Sequence, residues 1–192
     1  MIIYFSGLKD VIPHEMLPLV VLLCLCTMAG SCYVSSVSIS IEGKRFQNMK
    51  SMPIKSSKYI WAKILFNVLL VLPFALIAGV LSACFFAGSG VVAIIAYFVL
   101  PVMSVVLSSC FGILLNLLFP KMQFSNDAQV VKQSLSGVLG MFGGMVFGAV
   151  PFVIELFAYG LISINYWILI NFCYFCAIIL IISLILNKKS NK

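Results

Sequence analysis

Charge is scarce in this chain, and histidine is nearly absent. Of 192 residues, 9% are Asp, Glu, Lys or Arg, where a soluble domain carries about 25%. There is one histidine, His14. No histidine metal cluster can be built from it, and no Ser-His-Asp or paired-carboxylate set can be proposed. The sequence holds no Gly-x-x-x-x-Gly-Lys-Ser/Thr phosphate loop, so the chain is not itself an ATPase, and no His-Glu-x-x-His. The expectation is a protein that is not an enzyme and has neither cofactor nor metal of its own. What is present is oil: 63% of residues are hydrophobic and the mean hydropathy is +1.19. A core of this size cannot bury so much apolar surface, so the solvent is lipid. The net charge of +7 does not point to nucleic acid, because the cations flank hydrophobic runs instead of forming one face. The seven cysteines lie in apolar runs and read as small hydrophobic residues of a reducing compartment. Cys173 and Cys176 share a helix face but have no polar flanks that favour a thiolate.

Five apolar runs follow one another, at about 16–41, 59–87, 91–119, 134–158 and 166–186. Each meets the roughly 20 residues that cross a bilayer at 1.5 Å per residue. The fold expected is a single all-α transmembrane domain with polar loops at 42–58 and 120–133. Pro73 and Pro101 supply kink sites. Alternation of the spans places eleven of the twelve Lys and Arg residues on one side and Lys9 alone on the other. By the positive-inside rule the N-terminus is outside and the C-terminus in the cytoplasm. Met1 to Glu15 lacks the pattern of a signal peptide. An N-out start of this kind, with MIIYFSG like the outer end of a helix, leads us to expect at least one further span upstream.

The segment from Glu42 to Lys63 holds half of all the cations: Lys44, Arg45, Lys50, Lys55, Lys58 and Lys63. Ile41, Phe46, Met49 and Met52 recur near helical spacing among them. Two readings of this stretch stand open. It is a short helix gripped by a soluble partner, with Phe46 and Met49 as anchors and Glu42, Lys44, Arg45 and Lys50 as rim. Or it is an interfacial helix on anionic headgroups, at about 1 kcal/mol per cation.

The same segment resembles the cytoplasmic loop between the second and third helices of ABC-2 type permeases, the membrane subunits of a class of ATP-binding cassette transporters. Glu42 and Gly43 open it, Pro53 follows eleven residues later within K-S-M-P-I, and Lys63 opens the next helix ten residues further on. The resemblance implies a coupling helix between the first two spans. It also implies a separate nucleotide-binding ATPase subunit that holds the ATP, and a second permease half or homodimer partner. The implied setting is the plasma membrane of a bacterium, and the implied activity is ATP-driven translocation, as an exporter. A half of this family has six helices with both ends cytoplasmic, whereas this chain shows five. The alternative is a multispan protein that transports nothing, such as an immunity or assembly factor.

Three small-residue ridges recur every four residues: Ser136, Gly140, Gly144 and Gly148; Ser104, Ser108, Gly112 and Asn116; and Ala75, Gly79, Ala83 and Ala87. Such ridges let helix backbones approach closely in lipid. They serve packing inside one chain, or a seam between two. Glu155 is the acidic residue within a span, and Asn116 and Asn171 are lesser intramembrane polar candidates. Glu155 either does work inside the membrane, or reaches the outer interface, Tyr159 or a loop amide.

Overall fold

The computed structural model describes residues 17–32, 34–42, 56–86, 90–120, 134–157 and 163–190. These form six α-helices: α1 (Leu17–Gly30), α2 (Val34–Glu42), α3 (Ser56–Phe85), α4 (Val91–Leu118), α5 (Leu135–Phe157) and α6 (Ile164–Ser190). Helices α1 and α2 together make one span, so five spans among the described residues are long and apolar enough to cross a membrane. It is an all-α, multispan membrane protein.

The bundle is built around α4, which packs against every other helix. Its sequence explains why. α4 carries no charged residue over 28 residues, and Ser104, Ser108, Gly112 and Asn116 line one face, all buried. Small side chains let the first span and α5 approach that face, while Tyr97, Leu100, Leu107 and Ile113 fill the space elsewhere. Gly90 precedes α4 with φ of 91°, a left-handed backbone that glycine adopts at no steric cost. Helices α3 and α6 cover the remaining sides of α4. Their outer faces are apolar and exposed, with Phe66, Leu69 and Phe74 on α3 and Leu169, Leu180 and Leu184 on α6. In a membrane protein these are the surfaces presented to acyl chains.

One end of the bundle, the basic end, carries Glu42, Lys58, Lys63, Lys188 and Lys189. At the other end α1 starts, α3 ends, α4 starts, α5 ends and α6 starts. α3 is 30 residues long, about 45 Å at the α-helical rise. It therefore exceeds a 30 Å hydrocarbon core and must tilt or emerge from it.

The span limits differ from those read off hydropathy. The first span is not one helix: it breaks after Gly30, where Ser31 donates to the Met28 carbonyl (2.7 Å) and α2 resumes at Val34. α3 begins at Ser56, so Ser56 to Lys58 are helical and not loop. α6 runs to Ser190, past the expected end near 186, because Lys188 and Lys189 continue the helix and favour its negative C-terminal pole. α5 falls one residue short of its expected limits at each end.

Candidate functional site

At the basic end, Glu42 is the last residue of α2, and Lys63 lies in the second turn of α3. Their side chains form an ion pair of 2.5 Å, each about a quarter exposed or less. Tyr59, one turn before Lys63, donates its hydroxyl to the other oxygen of Glu42. The Lys63 ammonium also lies 5.6 Å from the centre of the Tyr59 ring. Spacing of four on α3 puts Tyr59 and Lys63 on one helix face, and Glu42 meets both. This cluster ties together the two ends of segment 43–55. Of the loop residues singled out in the sequence, Gly43, Lys44, Arg45, Phe46, Met49, Lys50, Met52 and Pro53 lie outside the described residues.

The pair predicts a rescue pattern. Lys63→Glu places two carboxylates together and should lower the thermal midpoint in detergent. Adding Glu42→Lys should restore most of the loss. The total at stake is small, about 1 kcal/mol, since partly exposed pairs contribute little. No recovery in the swapped double variant would show that the pair is incidental.

From this cluster a polar seam runs into the bundle along α4, where it meets α1, α2, α3 and α5. Ser40 donates to Asn116 Oδ1 at 2.6 Å, both fully buried. Asn67 of α3 donates to Ser109 Oγ at 2.6 Å, and Ser109 donates on to the Val105 carbonyl at 2.7 Å. Ser104 donates to the Cys26 carbonyl of α1 at 2.7 Å. Ser35, Ser36 and Ser136 bury their hydroxyls with no hydrogen-bond partner among the described residues, as does the Asn116 amide nitrogen. Buried polar groups in lipid are costly unless paired. A concentration of them along one seam is therefore a feature that packing alone does not call for.

The ridge of α5 faces this seam. Ser136, Gly140, Gly144 and Gly148 are all buried. A Cβ on Gly148 would lie 2.7 Å from the Cys26 carbonyl oxygen, and one on Gly140 would sit 2.6 Å from Ser36 Cβ. One on Gly144 would overlap the Gly30 carbonyl oxygen. Thus the ridge packs on the first span and α4 of the same chain, not on an open surface. Gly112 of α4 similarly accepts Ser35 and Ser36 of α2, a Cβ there lying 2.5 Å from Ser36 Oγ. In the third ridge a Cβ on Gly79 would lie 2.9 Å from the Tyr97 carbonyl oxygen, while Ala87 lies outside the described residues.

Glu155 continues the same side of α5 beyond Phe152. Its side chain is buried, 2% exposed. Asn171 of α6 adjoins it, 1% exposed. Tyr159 lies outside the described residues. Among the described residues, no group of three His, Cys, Asp or Glu could hold a metal, and the cysteines are free thiols.

Sequence reasoning missed Tyr59, Ser40, Asn67 and Ser109 as members of this network. Asn67 stood out as a lone amide inside an apolar run and could have been found by the rule that found Asn116. No protein-family model, curated protein or solved structure matches the chain.

Proposed function

We propose that the chain is the permease subunit of an ABC-2 type ATP-binding cassette transporter, acting as an exporter in a bacterial plasma membrane. The observation that carries this reading is the Glu42–Tyr59–Lys63 clamp. It joins the two helices that flank the cationic loop, so a force on the loop reaches the first span and α3 together. From there Ser40–Asn116 and Asn67–Ser109 link both to the central helix. A loop so anchored can convert movement of a docked subunit into movement of helices. The coupling requires that the ATP-bound and ATP-free states of that subunit hold the loop differently. ATP would be bound by that separate subunit. The exposed apolar faces of α3, α5 and α6 offer room for a second permease half or a second copy as well as for lipid.

The orientation belongs to the same proposal: N-terminus outside, the basic end in the cytoplasm. Single cysteines placed in a cysteine-free background test it. An impermeant maleimide added to intact cells should label position 89 and leave positions 50 and 189 unmodified until the membrane is opened. Labelling of position 50 from outside would reverse the topology and remove the ATPase from reach. Correct topology with no ATPase held by the chain would favour the alternative, a multispan protein without transport activity.

A further inference from the structure

Glu155 has no counter-charge within the described structure. Among the described residues neither carboxyl oxygen meets a partner at hydrogen-bond geometry, and Asn171 is the polar side chain beside it. Asn171 donates its Nδ2 to the Trp167 carbonyl at 2.8 Å, and its Oδ1 has no partner among the described residues. The same holds for the Trp167 indole N–H, 8% exposed and on the same face of α6. The helices packed on α5 are α1, α2, α4 and α6. Their charged residues among those described are Glu42, Lys188 and Lys189, all at the opposite, basic end. The titratable groups left on these helices are Cys24 and Cys26 on α1, Tyr97 and Cys110 on α4, and Tyr166, Cys173, Tyr174 and Cys176 on α6. All are thiols or phenols, which supply no positive charge.

A carboxyl buried among apolar side chains without a cation has to be neutralised, because an ionised group there is strongly disfavoured. An inorganic cation such as calcium or magnesium calls for about six or more converging oxygen ligands. Among the described residues no group of three His, Cys, Asp or Glu converges there. A proton needs no cage. It also turns one carboxyl oxygen into a donor, facing a neighbourhood that holds the spare acceptor of Asn171.

We propose that Glu155 is a proton-binding site, occupied while its carboxyl is buried as in this structure, and emptied when the carboxyl meets water. The proton leaves as hydronium and returns from it, so exposure and burial of Glu155 are linked to proton release and uptake. The inference stands apart from the ATPase reading, since it uses no residue of the loop or its clamp.

Dicyclohexylcarbodiimide reacts with protonated carboxyls in apolar surroundings. The acid proton passes to a carbodiimide nitrogen, the carboxyl oxygen bonds to the central carbon, and acyl migration gives a stable N-acylurea with no atom lost. The full chain in lipid nanodiscs is treated across a pH series and the adduct is located by peptide mass spectrometry. An infrared carbonyl band of a protonated acid is recorded in parallel. The expected result is a band at neutral pH that is lost in Glu155→Gln, with an adduct on Glu155 that falls about tenfold per pH unit above its midpoint. Asn171→Leu should shift that midpoint while the adduct persists. The band alone, with the reagent excluded, would support the site equally. A Glu155 that shows neither band nor adduct at neutral pH would overturn the proposal. So would protection by sodium or potassium at fixed pH, which would make this a metal-cation site.

Discussion

Gly144→Ile is expected to destabilise the bundle by about 3 kcal/mol or more, the upper range for overpacking a tight interface. A Cβ at Gly144 would overlap the Gly30 carbonyl oxygen and lie 3.2 Å from Ser108 Cβ. The obstacle on the α1 side is backbone, so it cannot turn aside as a side chain would. The contact is reciprocal, since a Cβ on Gly30 would overlap the Gly144 carbonyl oxygen. Val146 gives the control. It is 56% exposed and lies about 200° around the helix from Gly144, so Val146→Ile adds a methylene to the outer apolar face and should change little. Gly143→Ala falls between the two, because its new methyl meets the rim of the Phe111 ring, a side chain and not backbone. Thermal midpoints in detergent should therefore order as Val146→Ile, Gly143→Ala, Gly144→Ile, the last far lowest. Equal midpoints for the Gly144 and Val146 variants would mean that α5 does not present this ridge to α1.

The second large effect concerns the proposed docking loop. Changing both Phe46 and Met49 to Asp should abolish co-purification with the ATPase subunit while the chain still inserts and folds. Two apolar anchors in a partner groove contribute about 2 to 4 kcal/mol each when truncated. Replacing them with carboxylates adds the desolvation of two charges. Loss of either anchor alone should weaken binding at least about 30-fold, and loss of both should leave none detectable. Changing Lys44 and Lys50 to Ala should matter far less, because exposed pairs contribute about 0 to 1 kcal/mol. If the cation changes release the chain from anionic vesicles while the double Asp variant keeps its ATPase, the loop is a headgroup-binding segment.

The number of spans was legible because apolar length is a one-dimensional property: a run of sufficient hydropathy has to be a helix in lipid. The ridges were legible as spacing, but their neighbours were not. That Gly144 faces Gly30, and Gly140 faces Ser36, depends on which helices lie side by side, and a period of four does not encode that. The break after Gly30 left little trace, since the residues on both sides are small or apolar and the run continues through Ile41. Asn67 and Ser109 are 42 residues apart and their pairing has no local signature. Glu42 and Lys63 were visible through the spacing of the loop, whereas Tyr59 became part of the clamp only when α3 was seen to begin at Ser56, with Tyr59 facing Glu42. Glu155 was visible from the start as an acid in an apolar run. Its isolation from every described cation required the fold.

Crosslinking from the loop itself tests the central proposal most directly. A photoreactive residue at position 46, irradiated in native membranes, should capture a protein whose peptides include a Gly-x-x-x-x-Gly-Lys-Ser/Thr phosphate loop, with a yield that changes when ATP is added. Lipid adducts alone, unaffected by nucleotide, would contradict the account of this chain as an ATP-coupled permease.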